Sequence, residues 1–202
     1  MDPDSPDRSW RSADVHVAYP GHYLEDLGAL FKPFIRLEIG SARVTPFALC
    51  NLTSLVHDEL VAQGQMGEFE DNRPRIVRCV HPLVTLLEKL DALHRRVPKT
   101  SIEPAVFVRH FEDAAKLIAA ESTLPTLSDY PDVIELSNDM LGERQIDRIP
   151  SATDVAFRVA HDPRWESIRE AYSAIAPMFW GPRVQLDEAC ASIRDWIRRT
   201  FT

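Results

Sequence analysis

The sequence contains no apolar run approaching the roughly 18 residues of a membrane-spanning helix. Its opening, MDPDSPDRSWRSAD, is acidic and polar, the wrong character for a secretory signal peptide. Cysteine is scarce. Cys50, Cys79 and Cys190 are odd in number and widely spaced, with no CxxC pair, which excludes a disulfide framework and a paired-thiolate metal site. That usage fits free thiols in a reducing compartment, so a cytoplasmic location is expected. Positive charge is in deficit: 23 Lys and Arg against 31 Asp and Glu give a formal net charge of -8. A generally basic nucleic-acid binder is disfavoured, with room left for a local basic patch. There is no internal repeat and no low-complexity tract. What remains is ordinary globular composition, 45% hydrophobic and 27% charged over 202 residues, which suits one domain or a compact fused pair.

Local pattern divides the chain into three regions. Residues 1–13 read as a disordered polar tail. Residues 14–80 carry short alternating runs. Asp14 to Tyr19 alternates as a strand and stops at Pro20-Gly21, and Phe34 to Ile39 alternates again and stops at Gly40. In the second run Ile35, Leu37 and Ile39 share one face, and Arg36 and Glu38 the other. His22 to Lys32 reads as a short helix or a loop, Leu49 to Ala62 as a helix, 64–74 as a loop and Arg75 to Val80 as a third strand. Residues 81–202 read as helical. Leu83, Leu86, Leu90, Leu93 and Val97 form a helical stripe starting just after Pro82, a residue suited to the first turn. A second helix over 104–120 carries Phe107, His110, Phe111, Ala114, Leu117 and Ile118 on its stripe. Further helices are expected near 127–142, 164–179 and 185–200, the last two separated by Gly181-Pro182. Strands first and helices after predict an α+β fold, with a small mixed sheet followed by a helical bundle.

Residues 75–116 carry a net charge of +3, against −11 for the remainder. Lys89 and Arg96 lie two turns apart on one side of the first helix, and Arg109, Asp113 and Lys116 share a side of the second. Packing the two helices by their stripes predicts that Lys89, Arg96, Arg109 and Asp113 meet at the seam. Such a cluster suits a triphosphate, and it equally suits an ion-pair network at a buried edge. Glu38, beside Arg36, reads as a metal ligand or as a solvent-facing partner of its neighbour. His110, on the apolar stripe, reads as a hydrogen-bonded core histidine that His94 could meet, and Trp165, Trp180 and Trp196 as core or interface residues.

LLEKLDALHRR followed by VRHFEDAAKL resembles two successive motifs of the AbiEii-type nucleotidyltransferase-like toxins, which belong to abortive-infection, type IV toxin–antitoxin systems. The first is carried by Glu88, Lys89, Leu90, Ala92, Leu93, His94 and Arg96, and the second by Arg109, His110, Phe111, Glu112, Asp113 and Ala114. FIRLEIGSARVTP resembles the strand that bears the family's later acid, at Glu38. The run from Arg169 to Ile197 resembles its closing helices around a Met-x-x-Gly turn. The resemblance spans about residues 15–200. It implies a nucleoside triphosphate substrate, Mg²⁺, a cognate antitoxin and an RNA or protein acceptor. By the same resemblance Lys89 and Asp113 are the catalytic candidates, Lys89, Arg96 and Arg109 the nucleotide-binding ones, and Glu38 the metal-side acid.

The related polymerase-beta-like enzymes carry a Gly-Gly-Ser/Thr phosphate turn and a strand with Asp-x-Asp for two Mg²⁺ ions. This sequence has no Gly-Gly-Ser/Thr, and its early Asp-x-Asp is Asp2-Pro3-Asp4 in the polar tail. The chain therefore reads as the C-terminal two-thirds of the family and as inactive alone. Three readings follow: a toxin completed by acids from elsewhere, a non-catalytic remnant that binds nucleotide or a partner, and a helical interaction protein alike in architecture only. A truncated sheet leaves open edges, so the strand at 14–19 or 34–39 is expected at an edge, with dimerisation or pairing to an upstream fragment.

Overall fold

The computed structural model describes residues 12–18, 34–40, 45–65, 70–71, 73–179 and 181–201. Of the expected tail, residues 1–11 lie outside this set, while residues 12 and 13 already belong to a strand. The segment expected as a short helix or loop at 22–32, and Trp180, also lie outside it.

Strands β1 (Ser12–Ala18) and β2 (Phe34–Gly40) pair antiparallel, with Asp14 opposite Glu38 and His16 opposite Arg36. Strands β3 (Phe47–Cys50) and β4 (Val77–Val80) form a second antiparallel pair. The expected single mixed sheet is thus two separate two-stranded ribbons among the described residues. The helix expected from Leu49 begins only at Leu55: α1 covers Leu55–Ala62, and Leu49 and Cys50 lie in β3. Every strand keeps one open edge among the described residues, and Ile35, Leu37 and Ile39 are 55%, 59% and 47% exposed in the order Ile35, Ile39, Leu37. A two-stranded ribbon is only marginally stable by itself.

The core lies in the helices. His81 starts α2 (Pro82–Arg96). Its Nδ1 accepts the Leu83 N–H at 3.2 Å, and its Nε2 meets the Pro125 carbonyl oxygen at 2.9 Å. Buried His81 thereby caps the helix with one ring nitrogen and donates with the other. At the far end, Arg164 donates to the carbonyls of Val97 and Arg96 at 2.9 and 3.1 Å, closing groups that the helix leaves open. A 3-10 turn at Pro104–Val106 leads into α3 (Arg109–Ala119), followed by α4 (Val133–Gly142), α5 (Pro163–Ala174) and α6 (Leu186–Phe201). Helix α3 is central and packs on both α2 and α6. Leu86, Leu90, Leu93, Phe107, Phe111 and Ala114, the residues expected at the seam, are all buried. Gly181 stands at φ +80° between α5 and α6, a backbone conformation that a side chain would strain. All three cysteines are free thiols; burial pushes that of Cys190 up to about 12.

Candidate functional site

On α2, Lys89 flanks the buried stripe beside Leu90. On α3, Asp113 flanks it beside Ala114. The two side chains meet across the seam, Lys89 Nζ donating to Asp113 Oδ2 at 2.7 Å, with 21% and 32% of the side chains exposed. Two turns further along α2, Arg96 Nη1 lies 3.3 Å from His110 Nε2. A guanidinium can only donate, so His110 accepts at Nε2, and its neutral ring holds its proton on Nδ1. That nitrogen is buried without a hydrogen-bond partner and faces Asp113 Oδ2 across 4.0 Å. The result is a row, Lys89–Asp113–His110–Arg96, along one edge of the α2–α3 seam. Arg109 is exposed beside it and forms no ion pair among the described residues.

The charges in the row are interdependent. Burial lowers the His110 pKa below 6.5, and Lys89, Arg109 and Arg96 lower it further, against the pull of Asp113. Burial pushes Asp113 up, but the His110 ring and the Lys89 ammonium outweigh it and hold the carboxyl below 3.8. The folded row therefore contains a carboxylate and a neutral imidazole at neutral pH. Both groups bind protons more weakly folded than unfolded, so the stability they contribute is present at neutral pH and is lost on acidification. Melting temperature is expected to fall in two stages, the first below about pH 6.5 as the unfolded His110 takes its proton, the second below about pH 4 through Asp113. His110→Gln should flatten the first stage. Thermal unfolding between pH 8 and pH 4 checks this, and an unchanged slope in the variant between pH 6.5 and pH 5 would contradict it.

One position before Asp113, Glu112 points to the other side of α3 and is wholly buried. Arg183 donates through Nε to its Oε2, the Tyr172 hydroxyl shares its one proton between the same oxygen at 3.3 Å and the Val184 carbonyl at 2.7 Å, and Lys116 Nζ lies 2.9 Å from Oε1 as an ion pair. The Arg183 guanidinium also lies over the rings of Tyr172 and Phe179, at 5.0 and 4.3 Å. Sequence reading missed this cluster: its members lie up to 71 residues apart, and no local pattern links them.

His94 does not meet His110. Its Nδ1 lies 2.6 Å from Asp154 Oδ2, tying α2 to the segment before α5. Glu38 is outside the row; its ion pair is with Arg36 at 3.1 Å, and no described hydrogen bond or ion pair joins it to Lys89, Arg96, Arg109 or Asp113. Asp14, which sequence reading passed over, stands directly opposite Glu38, and Arg36 holds it at 2.6 Å. The available signal was the pair of alternating runs, which antiparallel pairing brings face to face. Two facing carboxylates would suit a divalent cation, but here one guanidinium neutralises both. The pair as arranged does not fit Mg²⁺. Among the described residues no group of three or more His, Cys, Asp or Glu is placed to hold a metal, and no helix is long and apolar enough to cross a membrane.

Comparison with known proteins adds the family. The family model for the nucleotidyl transferase AbiEii toxin of type IV toxin–antitoxin systems matches residues 2–189. The match extends to the N-terminal residues, so the expected restriction to the C-terminal two-thirds does not hold. No curated protein and no solved structure matches. Matched over nearly its whole length, the chain belongs to the AbiEii nucleotidyl transferase toxin family, whose type IV toxin–antitoxin assignment implies an antitoxin as its partner.

Proposed function

We propose that the α2–α3 seam binds the phosphates of a nucleoside triphosphate and that this chain alone does not complete nucleotide transfer. The observation that carries the reading is the meeting of Lys89 and Asp113 across the seam at 2.7 Å, with Arg96 in the same row and Arg109 exposed beside it. Three cations from two helices neutralise a polyanion, and a guanidinium grips phosphate through two N–H groups at once. In this reading Lys89 binds phosphate, Arg96 and Arg109 flank it, and Asp113 holds the Lys89 ammonium in position between ligands.

The sequence and the strands both support incompleteness. There is no Gly-Gly-Ser/Thr turn in the sequence, and Arg36 neutralises Glu38 and Asp14 together. Mg²⁺ is therefore expected to add little to nucleotide binding. Transfer to an RNA or protein acceptor then requires groups from elsewhere, a second copy of the chain among them, and the exposed apolar face of β2 supports such a contact.

A second reading has its own support: the Lys89–Asp113 pair is already closed, as in an ion-pair clamp that joins two helices and binds nothing. Titration of the chain and of Lys89→Ala with each nucleoside triphosphate, with and without Mg²⁺, separates the two. Binding by the unsubstituted chain, weakened about 10- to 100-fold by Lys89→Ala, is the expected result, the scale of one charge-assisted contact. Equal binding by the two proteins refutes the site. Robust transfer by the purified chain refutes the claim of incompleteness.

A further inference from the structure

Away from the seam, an open groove of about 400 Å³ lies between α6 and the segment leading to α5. Three arginines, Arg158, Arg194 and Arg198, line it together with Thr153 and a single carboxylate, Asp187. None of the seam residues borders it. Asp187, Arg194 and Arg198 follow one another at spacings of seven and four, so they share one face of α6. Arg158 approaches from the opposite wall.

The walls are fixed. Asp154 Oδ1 accepts the Ala156 N–H at 2.9 Å, and its other oxygen is held by His94 at 2.6 Å. Arg194 Nη1 donates to the Phe157 carbonyl, which joins the two walls directly. The remaining cations are available. Arg198 pairs with Asp195 at 2.7 Å, but both side chains are mostly exposed, and such pairs contribute little. The Arg158 guanidinium makes no ion pair among the described residues. Arginines in the last turns of α6 suit the negative end of the helix dipole. That accounts for Arg198, in the last turn, and not for Arg194 in the body of the helix or for Arg158, which comes from another segment. Three guanidiniums around one carboxylate make the groove locally positive in a protein of net charge -8.

We infer that this groove is a second binding site, independent of the seam, that takes phosphate groups, either of a free oligophosphate or of a nucleic-acid backbone. Guanidinium forks match phosphate oxygens in pairs, and i,i+4 spacing sets Arg194 and Arg198 to grip neighbouring oxygens or neighbouring phosphates. Polar walls and an open mouth fit an extended, hydrated ligand.

The test uses the full chain carrying Lys89→Ala, so that seam binding is weakened. Inorganic tripolyphosphate is titrated by calorimetry and a short labelled single-stranded RNA by fluorescence anisotropy, at low salt. At least one probe is expected to bind, and adding Arg158→Gln with Arg198→Gln should weaken it about tenfold or more. Tripolyphosphate alone identifies a free oligophosphate as the ligand, and RNA alone a backbone. Arg75→Gln with Arg144→Gln, an equal change of net charge elsewhere, should leave binding within about twofold. All of these side chains are exposed, and matching melting temperatures would check that the fold is kept. Binding of neither probe, binding unchanged by the groove substitutions, or equal weakening by the control pair would each overturn the inference.

Discussion

Arg183→Ala is expected to destabilise the fold by about 3–5 kcal/mol, the cost of stranding a buried charge. Glu112 has no exposed surface, and its carboxylate is held by Arg183, Tyr172 and Lys116. Burial alone pushes the Glu112 pKa up; Lys116 and Arg183 reverse that and hold it below 4.5. Without Arg183 the oxygen Oε2 keeps only the Tyr172 hydroxyl. Removal also uncovers the facing rings of Tyr172 and Phe179. The deficit should be largest at neutral pH and shrink in acid, as the stranded carboxyl takes up a proton. Glu112→Gln combined with Arg183→Met should recover part of it, because no uncompensated charge is then buried. Urea unfolding of the three proteins decides the point. A single variant within about 1 kcal/mol of the parent would show that Lys116 and solvent suffice, and that the cluster is not the anchor described here.

Phe111→Ala is expected to cost a similar amount, about 3–5 kcal/mol, by a different mechanism. Phe111 is fully buried on α3, with the Trp165 ring of α5 6.0 Å from its own. Truncation removes apolar surface and leaves a void where α3, the central helix, meets its neighbours, and close-packed interiors relax only partly into such voids. In a chain of this size the loss corresponds to a fall in melting temperature of roughly 10 °C. Lys89→Ala, on the rim of the same seam, should move it little. A Phe111→Ala protein melting within about 2 °C of the parent would place the seam outside the cooperative core.

These two cases mark what was legible. Phe111 and its partners were readable because helical burial repeats every three to four residues, and Leu86, Leu90, Leu93 and Ala114 write that period plainly. The same arithmetic put Lys89 and Asp113 on facing rims. Glu112 was readable only as one more acid, since its partner Arg183 arrives after two further helices and the Gly181 turn. Asp154 reaches His94 across a similar distance. Leu49 and Cys50 read as the start of a helix because a short apolar run fits either period, and the strand that pairs with them lies beyond α1 and a loop. Asp14 does not fit the legible pattern of two acids two apart on one strand. The facing acid lies on the next strand, and only antiparallel register discloses it.

The most direct test of the account is a crystal structure of the chain with a slowly hydrolysed nucleoside triphosphate at saturating concentration. The account predicts triphosphate density along the exposed edge of the α2–α3 seam. Lys89 Nζ should turn from Asp113 to a phosphate oxygen, Arg96 and Arg109 should lie within hydrogen-bonding distance, and the helices themselves should be little moved. Nucleotide bound elsewhere, with the Lys89–Asp113 pair still closed, would contradict it and leave the seam as an ion-pair clamp.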